Sequence, residues 1–162
     1  MYNFQISKKM TKITFKELNF LNNYLELFSK IKFNGLQEIT FEKCDIEDRV
    51  INSIQNIFTS QLIYLNLSEN KLTKSLMFDM EKIYDNLEEL YLNDNNIEEI
   101  NSLMIGKFPN LKKLNLSHNK ISDIKCMDNV LNFNNLENLD LSYNNIRVLN
   151  RINISNLKFI NI

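Results

Sequence analysis

Four stretches of this 162-residue chain can be laid over one another without a gap. Leu62–Leu72 reads LIYLNLSENKL, Leu87–Ile97 reads LEELYLNDNNI, Leu111–Ile121 reads LKKLNLSHNKI and Leu136–Ile146 reads LENLDLSYNNI. All fit L-x-x-L-x-L-x-x-N-x-L, with Ile accepted at the last position. Looser copies precede them at Met10–Phe20 (MTKITFKELNF) and Leu36–Ile46 (LQEITFEKCDI), and a partial copy follows at Leu157–Ile162 (LKFINI). The copies start at 10, 36, 62, 87, 111, 136 and 157, so successive starts lie 26, 26, 25, 24, 25 and 21 residues apart. A unit of this length cannot bury its apolar side alone, so the copies must stack and share one core. Residues 1–162 are therefore read as a single domain of six repeats plus a partial seventh.

Within each copy the x-L-x-L stretch alternates polar and apolar, as a half-buried strand does. Leu65 and Leu67, or Leu114 and Leu116, are expected to point inward and stack on their counterparts. The pattern's Asn (Asn70, Asn95, Asn119 and Asn144) falls just after the strand, where the chain turns. A side-chain amide offers donors and an acceptor together, so an inward Asn can satisfy turn backbone groups that would otherwise be buried unpaired. These four are read as a structural ladder. Cys44 takes that position in the second copy and is read as structural; Leu18 takes it in the first, which marks an atypical end.

The segments that return the chain to the next strand carry a second periodicity. Val50, Ile51, Ile54, Ile57 and Phe58 within 48–58 have helical spacing. So do Leu76, Met77, Met80 and Ile83, and Tyr24, Leu25, Leu27 and Phe28 suggest a further helix before Gly35. Their apolar stripes are expected in the core. Phe108-Pro109-Asn110-Leu111 turns the chain into a strand, with Pro109 where no donor is needed.

These motifs resemble those of leucine-rich-repeat proteins, and the resemblance covers residues 10–162. It implies an α/β solenoid with a curved parallel sheet on the concave face and short helices and irregular coils on the convex face. It also implies a non-catalytic scaffold or adaptor that binds a protein partner through the concave face. The Leu-Ser-x-Asn-x-Ile form and the Phe-Pro-Asn-Leu lead-in look like the intracellular subclass that includes a regulatory subunit of phosphatase 1, although most repeats here are longer than that regulator's. That resemblance suggests a cytoplasmic subunit of an assembly, with nuclear and ciliary locations as alternatives. The runner-up is a secreted or surface recognition module of a microbe.

Composition narrows the function classes. A formal net charge of −1 gives no basis for neutralising nucleic-acid phosphates. No run approaches the roughly 20 apolar residues of a membrane span, and neither a nucleic-acid partner nor a membrane is expected. Two cysteines, Cys44 and Cys126, do not make a disulfide framework, which favours a reducing compartment. Ala and Trp are absent and Asn abounds; outside the pattern's own Asn, that excess is read as the mark of a low-GC genome. The sequons at Asn66, Asn115 and Asn153 carry little weight, since the first two arise within the repeat. One histidine, no Cys/His cluster and no glycine-rich phosphate loop leave no catalytic residue, metal site or cofactor to propose.

The exposed positions of successive strands should form columns. One runs Lys12, Glu38, Tyr64, Glu89, Lys113, Asn138, Phe159; another runs Thr14, Thr40, Asn66, Tyr91, Asn115, Asp140, Asn161. A third, just before the ladder Asn, runs Glu17, Lys43, Glu69, Asp94, His118, Tyr143. Aromatic and acidic residues meet in the third and fourth repeats, so the candidate partner-binding set is Tyr64, Glu69, Glu89, Tyr91, Asp94, Lys113, His118 and Tyr143. Its acidic character would favour a basic segment, and exposed tyrosines are enriched among binding hot spots. The strand motif at Ile162 leads to the further expectation that more repeats or a partner cover that edge.

Overall fold

The alternation seen in the repeats becomes seven strands in a computed structural model that describes residues 9–19, 33, 35–54, 57–73, 83–100, 108–124, 134–147 and 154–162. They are β1 (Lys12–Lys16), β2 (Glu38–Glu42), β3 (Tyr64–Asn66), β4 (Glu89–Tyr91), β5 (Lys113–Asn115), β6 (Asn138–Asp140) and β7 (Phe159–Asn161). Each pairs in parallel with the next, giving one sheet in chain order. The register aligns the columns read from the sequence: Lys12, Glu38, Tyr64, Glu89, Lys113, Asn138 and Phe159 are successive partners. The result is a solenoid, one coil per repeat.

The core runs beneath this sheet. Leu65, Leu90 and Leu139 are wholly buried and Leu114 nearly so, each facing its neighbour in the strand register. The second leucine of each copy continues the stack as Leu67, Leu92, Leu116 and Leu141. Phe15 and Phe41 stack at 5.2 Å in the first two coils.

The asparagine ladder holds the turn that follows each strand. The Asn70 amide donates to the carbonyls of Phe41, Leu67 and Ser68 (2.7, 3.0 and 2.8 Å), while its oxygen accepts from Cys44 N–H and Ile46 N–H. Asn95, Asn119 and Asn144 repeat the arrangement, each receiving an N–H from the preceding coil (Leu72, Ile97 and Ile121). In the second coil the Cys44 thiol supplies the donor half, pointing at the carbonyls of Phe15 and Glu42. Burial pushes its pKa up. Leu18, at the same position in the first coil, is half exposed.

Two features correct the sequence reading. Outside the ladder, the Asn excess is partly structural. Asn86, Asn110, Asn135 and Asn156, the residue before the first Leu of their repeats, each donate to a carbonyl of the preceding coil: Ser60, Asp85, Pro109 and Asn134. These bonds brace the entry to the strand as the first ladder braces its exit. Asn66 and Asn115 accept from the N–H of Ser68 and Ser117, closing small turns that also explain the first two sequons.

The other correction concerns a return segment. The helix α1 (Asp48–Ile54) buries Val50, Ile51 and Ile54 as expected, and Ile57 and Phe58 follow them into the core. Ile83, however, is 50% exposed, and Tyr84 is buried in its place, 5.8 Å from the Phe108 ring. Ile83 and Tyr84 lie in no helix, immediately before the turn that leads into β4. The stripes at Leu76, Met77 and Met80 and at Tyr24, Leu25, Leu27 and Phe28, like Cys126, lie outside the described residues.

Candidate binding face

Every strand residue that does not point into the core projects from the outer face of the sheet. The residue just before the ladder position extends that face, because it adopts a left-handed backbone in every full coil. Glu17, Lys43, Glu69, Asp94, His118 and Tyr143 all have φ between 52° and 55°. The sheet's hydrogen bonding continues through five of them, with Glu69 N–H donating to Asn93 O, Asp94 N–H to Ser117 O and His118 N–H to Ser142 O. The left-handed turn aims six side chains outward in one row at the rim of the face.

At its centre, Tyr64 and Tyr91 meet with ring centroids 5.4 Å apart, tilted by 41°. They come from adjacent strands but from different columns. Tyr91 donates its hydroxyl proton to Glu89 Oε2 at 2.9 Å, and Lys113 Nζ lies 2.8 Å from Glu89 Oε1. Burial works to raise the Glu89 pKa, but the bonds from Lys113 and Tyr91 overcome it and hold the carboxyl below its ordinary value. Burial together with the Glu89 carboxylate pushes Tyr91 up to about 12. Burial likewise raises Tyr64, against a hydrogen bond with Asn66. Glu89 is thus a positioned, neutralised group that locks Tyr91.

A second aromatic pair stands on the rim. His118 and Tyr143 stack with centroids 4.1 Å apart and planes within 12°. Tyr143 is 75% exposed, the most open of the large apolar side chains described. The spacing follows from the repeat: residues at one position in adjacent coils lie about 4.8 Å apart, within ring-stacking range.

The charges of the face pair across coils. Lys12 pairs with Glu38, Lys16 with Glu42, Lys43 with Glu17 and Lys113 with Glu89. Glu69 and Asp94 are exposed and, among the described residues, in no ion pair, though Glu69 is felt by Lys16 and Lys43. Asp140 accepts from the N–H and hydroxyl of Ser142. The eight candidate residues therefore fall into a central group (Tyr64, Glu89, Tyr91, Lys113) and a rim group (Glu69, Asp94, His118, Tyr143). What the sequence reading missed is the pairing within each. The i, i+2 spacing of Glu89 and Tyr91 on one strand face was the available signal for the first.

Among the described residues no group of three His, Cys, Asp or Glu side chains is placed to hold a metal. No helix among them is long and apolar enough to cross a membrane. A shallow polar recess of about 670 Å³ lies beside the Asn144 turn, lined by residues that include Glu98, Lys120 and Arg147.

Comparison with known proteins places these repeats in a family. Residues 85–131 match a model of leucine-rich repeats in two copies, and residues 135–157 match a single-repeat model. No curated protein matches the chain. Among solved structures it is similar to InlP of Listeria monocytogenes, with a TM-score of 0.66 and 28% identity over 89% of this chain and 37% of that one. It is also similar to the internalin inlF (0.63, 21%, 78% and 35%) and to the internalin-like protein lmo2027 (0.61, 19%, 96% and 53%), both of Listeria monocytogenes. The last two likenesses concern the fold alone. The chain covers well under two thirds of each of these structures.

Proposed function

This chain is a leucine-rich-repeat protein, and from that premise we propose that it is a non-catalytic module that binds a protein partner across its exposed sheet face. The observation that carries the proposal is the Tyr64–Tyr91 contact at the centre of that face. Two large amphipathic rings are held there at little entropic cost to binding, because Glu89 and Lys113 already fix one of them. The surrounding columns are polar and internally paired, as the rim of an interface is. Ligands selected from a peptide library on the intact chain should lose about tenfold or more in affinity on a Tyr64→Ala/Tyr91→Ala double variant. Unchanged affinity would remove the sheet face from consideration.

We place this module in an intracellular assembly as a scaffold or adaptor subunit. Cys44, a free thiol built into the turn ladder, supports a reducing compartment. A second reading, a secreted or surface recognition module of a microbe, draws support from the likeness to InlP, a protein of the microbe Listeria monocytogenes. Fractionation of cells expressing the tagged natural protein separates the two: recovery in the cytosol favours the adaptor, and recovery at the surface or in the medium favours the recognition module.

A further inference from the structure

We infer that the partner segment is cationic and extended, and that its arginines lie across the sheet face and its rim, from Glu69 to Asp140 and Tyr143. This deepens the sheet-face reading above and rests on it. Every lysine of the face is already committed to a neighbouring carboxylate: Lys12, Lys16, Lys43 and Lys113 each close an ion pair across adjacent coils. The carboxylates outnumber them. Glu69, Asp94 and Asp140 close no ion pair among the described residues, while the whole chain carries a formal charge of only −1. The carboxylates of the face that close no ion pair are therefore gathered in coils three to six.

The same coils hold both aromatic pairs, Tyr64–Tyr91 and His118–Tyr143. A carboxylate within a coil's width of an open aromatic face suits a guanidinium better than an ammonium. Arginine can stack its plane on the ring and direct two N–H groups to the carboxylate, which lysine cannot do. The geometry also suits an extended chain. Three coil spacings of about 4.8 Å separate the Glu69 coil from the Asp140 coil, roughly 14 Å. Alternate residues of an extended peptide repeat at about 6.7 Å, so arginines at i, i+2 and i+4 span about the same length.

The test uses the full chain and defined peptides: an Arg-Ser-Arg-Ser-Arg peptide, its Lys and Glu counterparts, and a random displayed library. The charge-neutral variant is Glu69→Gln/Asp94→Asn/Asp140→Asn. It should fold, because Asn keeps the turn acceptor at 140 as it does at Asn66 and Asn115, and Asn tolerates the left-handed backbone at 94. Fluorescence anisotropy should show the Arg peptide binding at least threefold more tightly than the Lys peptide and at least tenfold more weakly to the neutral variant, with no binding of the Glu peptide. Equal affinity for the wild-type and neutral chains overturns the inference. Library ligands that are acidic or apolar, yet lost on the Tyr64→Ala/Tyr91→Ala variant, overturn the cationic partner and leave the sheet face standing. Library ligands indifferent to that double variant overturn both.

Discussion

Asn95, Asn119 and Asn144 each close four hydrogen bonds with one side chain, and Asn70 closes five. Asn95 is 7% exposed; it donates to Leu67 O, Leu92 O and Asn93 O and accepts from Leu72 N–H. Asn95→Ala leaves all four backbone groups without this partner, and at 1–3 kcal/mol for a buried orphan the cost should be about 3 kcal/mol by urea denaturation, after relaxation and water entry recover part of it. Cys44 shows what a partial replacement retains, since its thiol covers only the donor half. Asn119→Cys should therefore cost less than Asn119→Ala, and equal losses would show that the donor half contributes nothing. The left-handed row makes a different demand. At Glu69, an exposed site with φ of 53°, Val should cost about 1–2 kcal/mol through its branched Cβ. Gly should be close to neutral, because relief of strain is offset by greater freedom in the unfolded chain. The ladder was legible in the sequence because a buried amide after a strand has one evident use. The backbone of the row was not, because Glu, Lys, Asp, His and Tyr share no chemistry that announces a positive φ.

At the scale of the element, the strands were readable and the return segments only in part. A strand of three residues such as β4 is fixed by alternation, and Leu90 has one place to go. A return segment is fixed by where it must deliver the chain. At the entry to β4 that requirement leaves Ile83 exposed and puts Tyr84 into the core. Ile83→Asn should therefore change stability by less than about 0.5 kcal/mol, whereas Tyr84→Ala should cost about 3–5 kcal/mol. The reverse order would restore the helical reading. The Glu89–Tyr91 pair on β4 also carries a pH signature. The neutral Tyr91 phenol is favoured in the native state, so its contribution is whole below the ordinary value of 10 and is lost as pH rises towards 12. Glu89 acts in the opposite sense: its contribution is present above its unfolded value of about 4.5 and is lost as pH falls through the lower native value. An ultraviolet titration should show one tyrosine ionising near 12, absent from Tyr91→Phe; in that variant the Glu89 carboxyl, followed by NMR, should titrate at higher pH. The Glu89–Tyr91 bond was within reach of the sequence, but the face's charge balance depends on which lysine meets which carboxylate, and that needs the register.

Across the whole molecule, the interactions that join one coil to another reach chiefly to the next coil along. Leu67 N–H donates to Tyr91 O, Leu92 N–H to Asn115 O and Leu116 N–H to Asp140 O, so the coils are linked in series. The ion pairs that cross coils are exposed, and such pairs contribute little individually. Stability should then behave as a chain of nearest-neighbour terms rather than as one undivided core. Leu90→Ala tests this, because Leu90 is wholly buried in β4 with Leu65 and Leu114 as its strand partners. The substitution should cost about 3 kcal/mol. Hydrogen exchange should resolve where the loss falls. Amides of β3, β4 and β5 should lose protection by about the full factor that 3 kcal/mol implies, roughly a hundredfold. Those of β2 and α1, more than one coil away, should lose distinctly less, because they can remain stacked while the fourth coil opens. If protection instead falls by one common factor from β2 to β6, the coils unfold as a single cooperative unit, and the serial description of this solenoid is wrong.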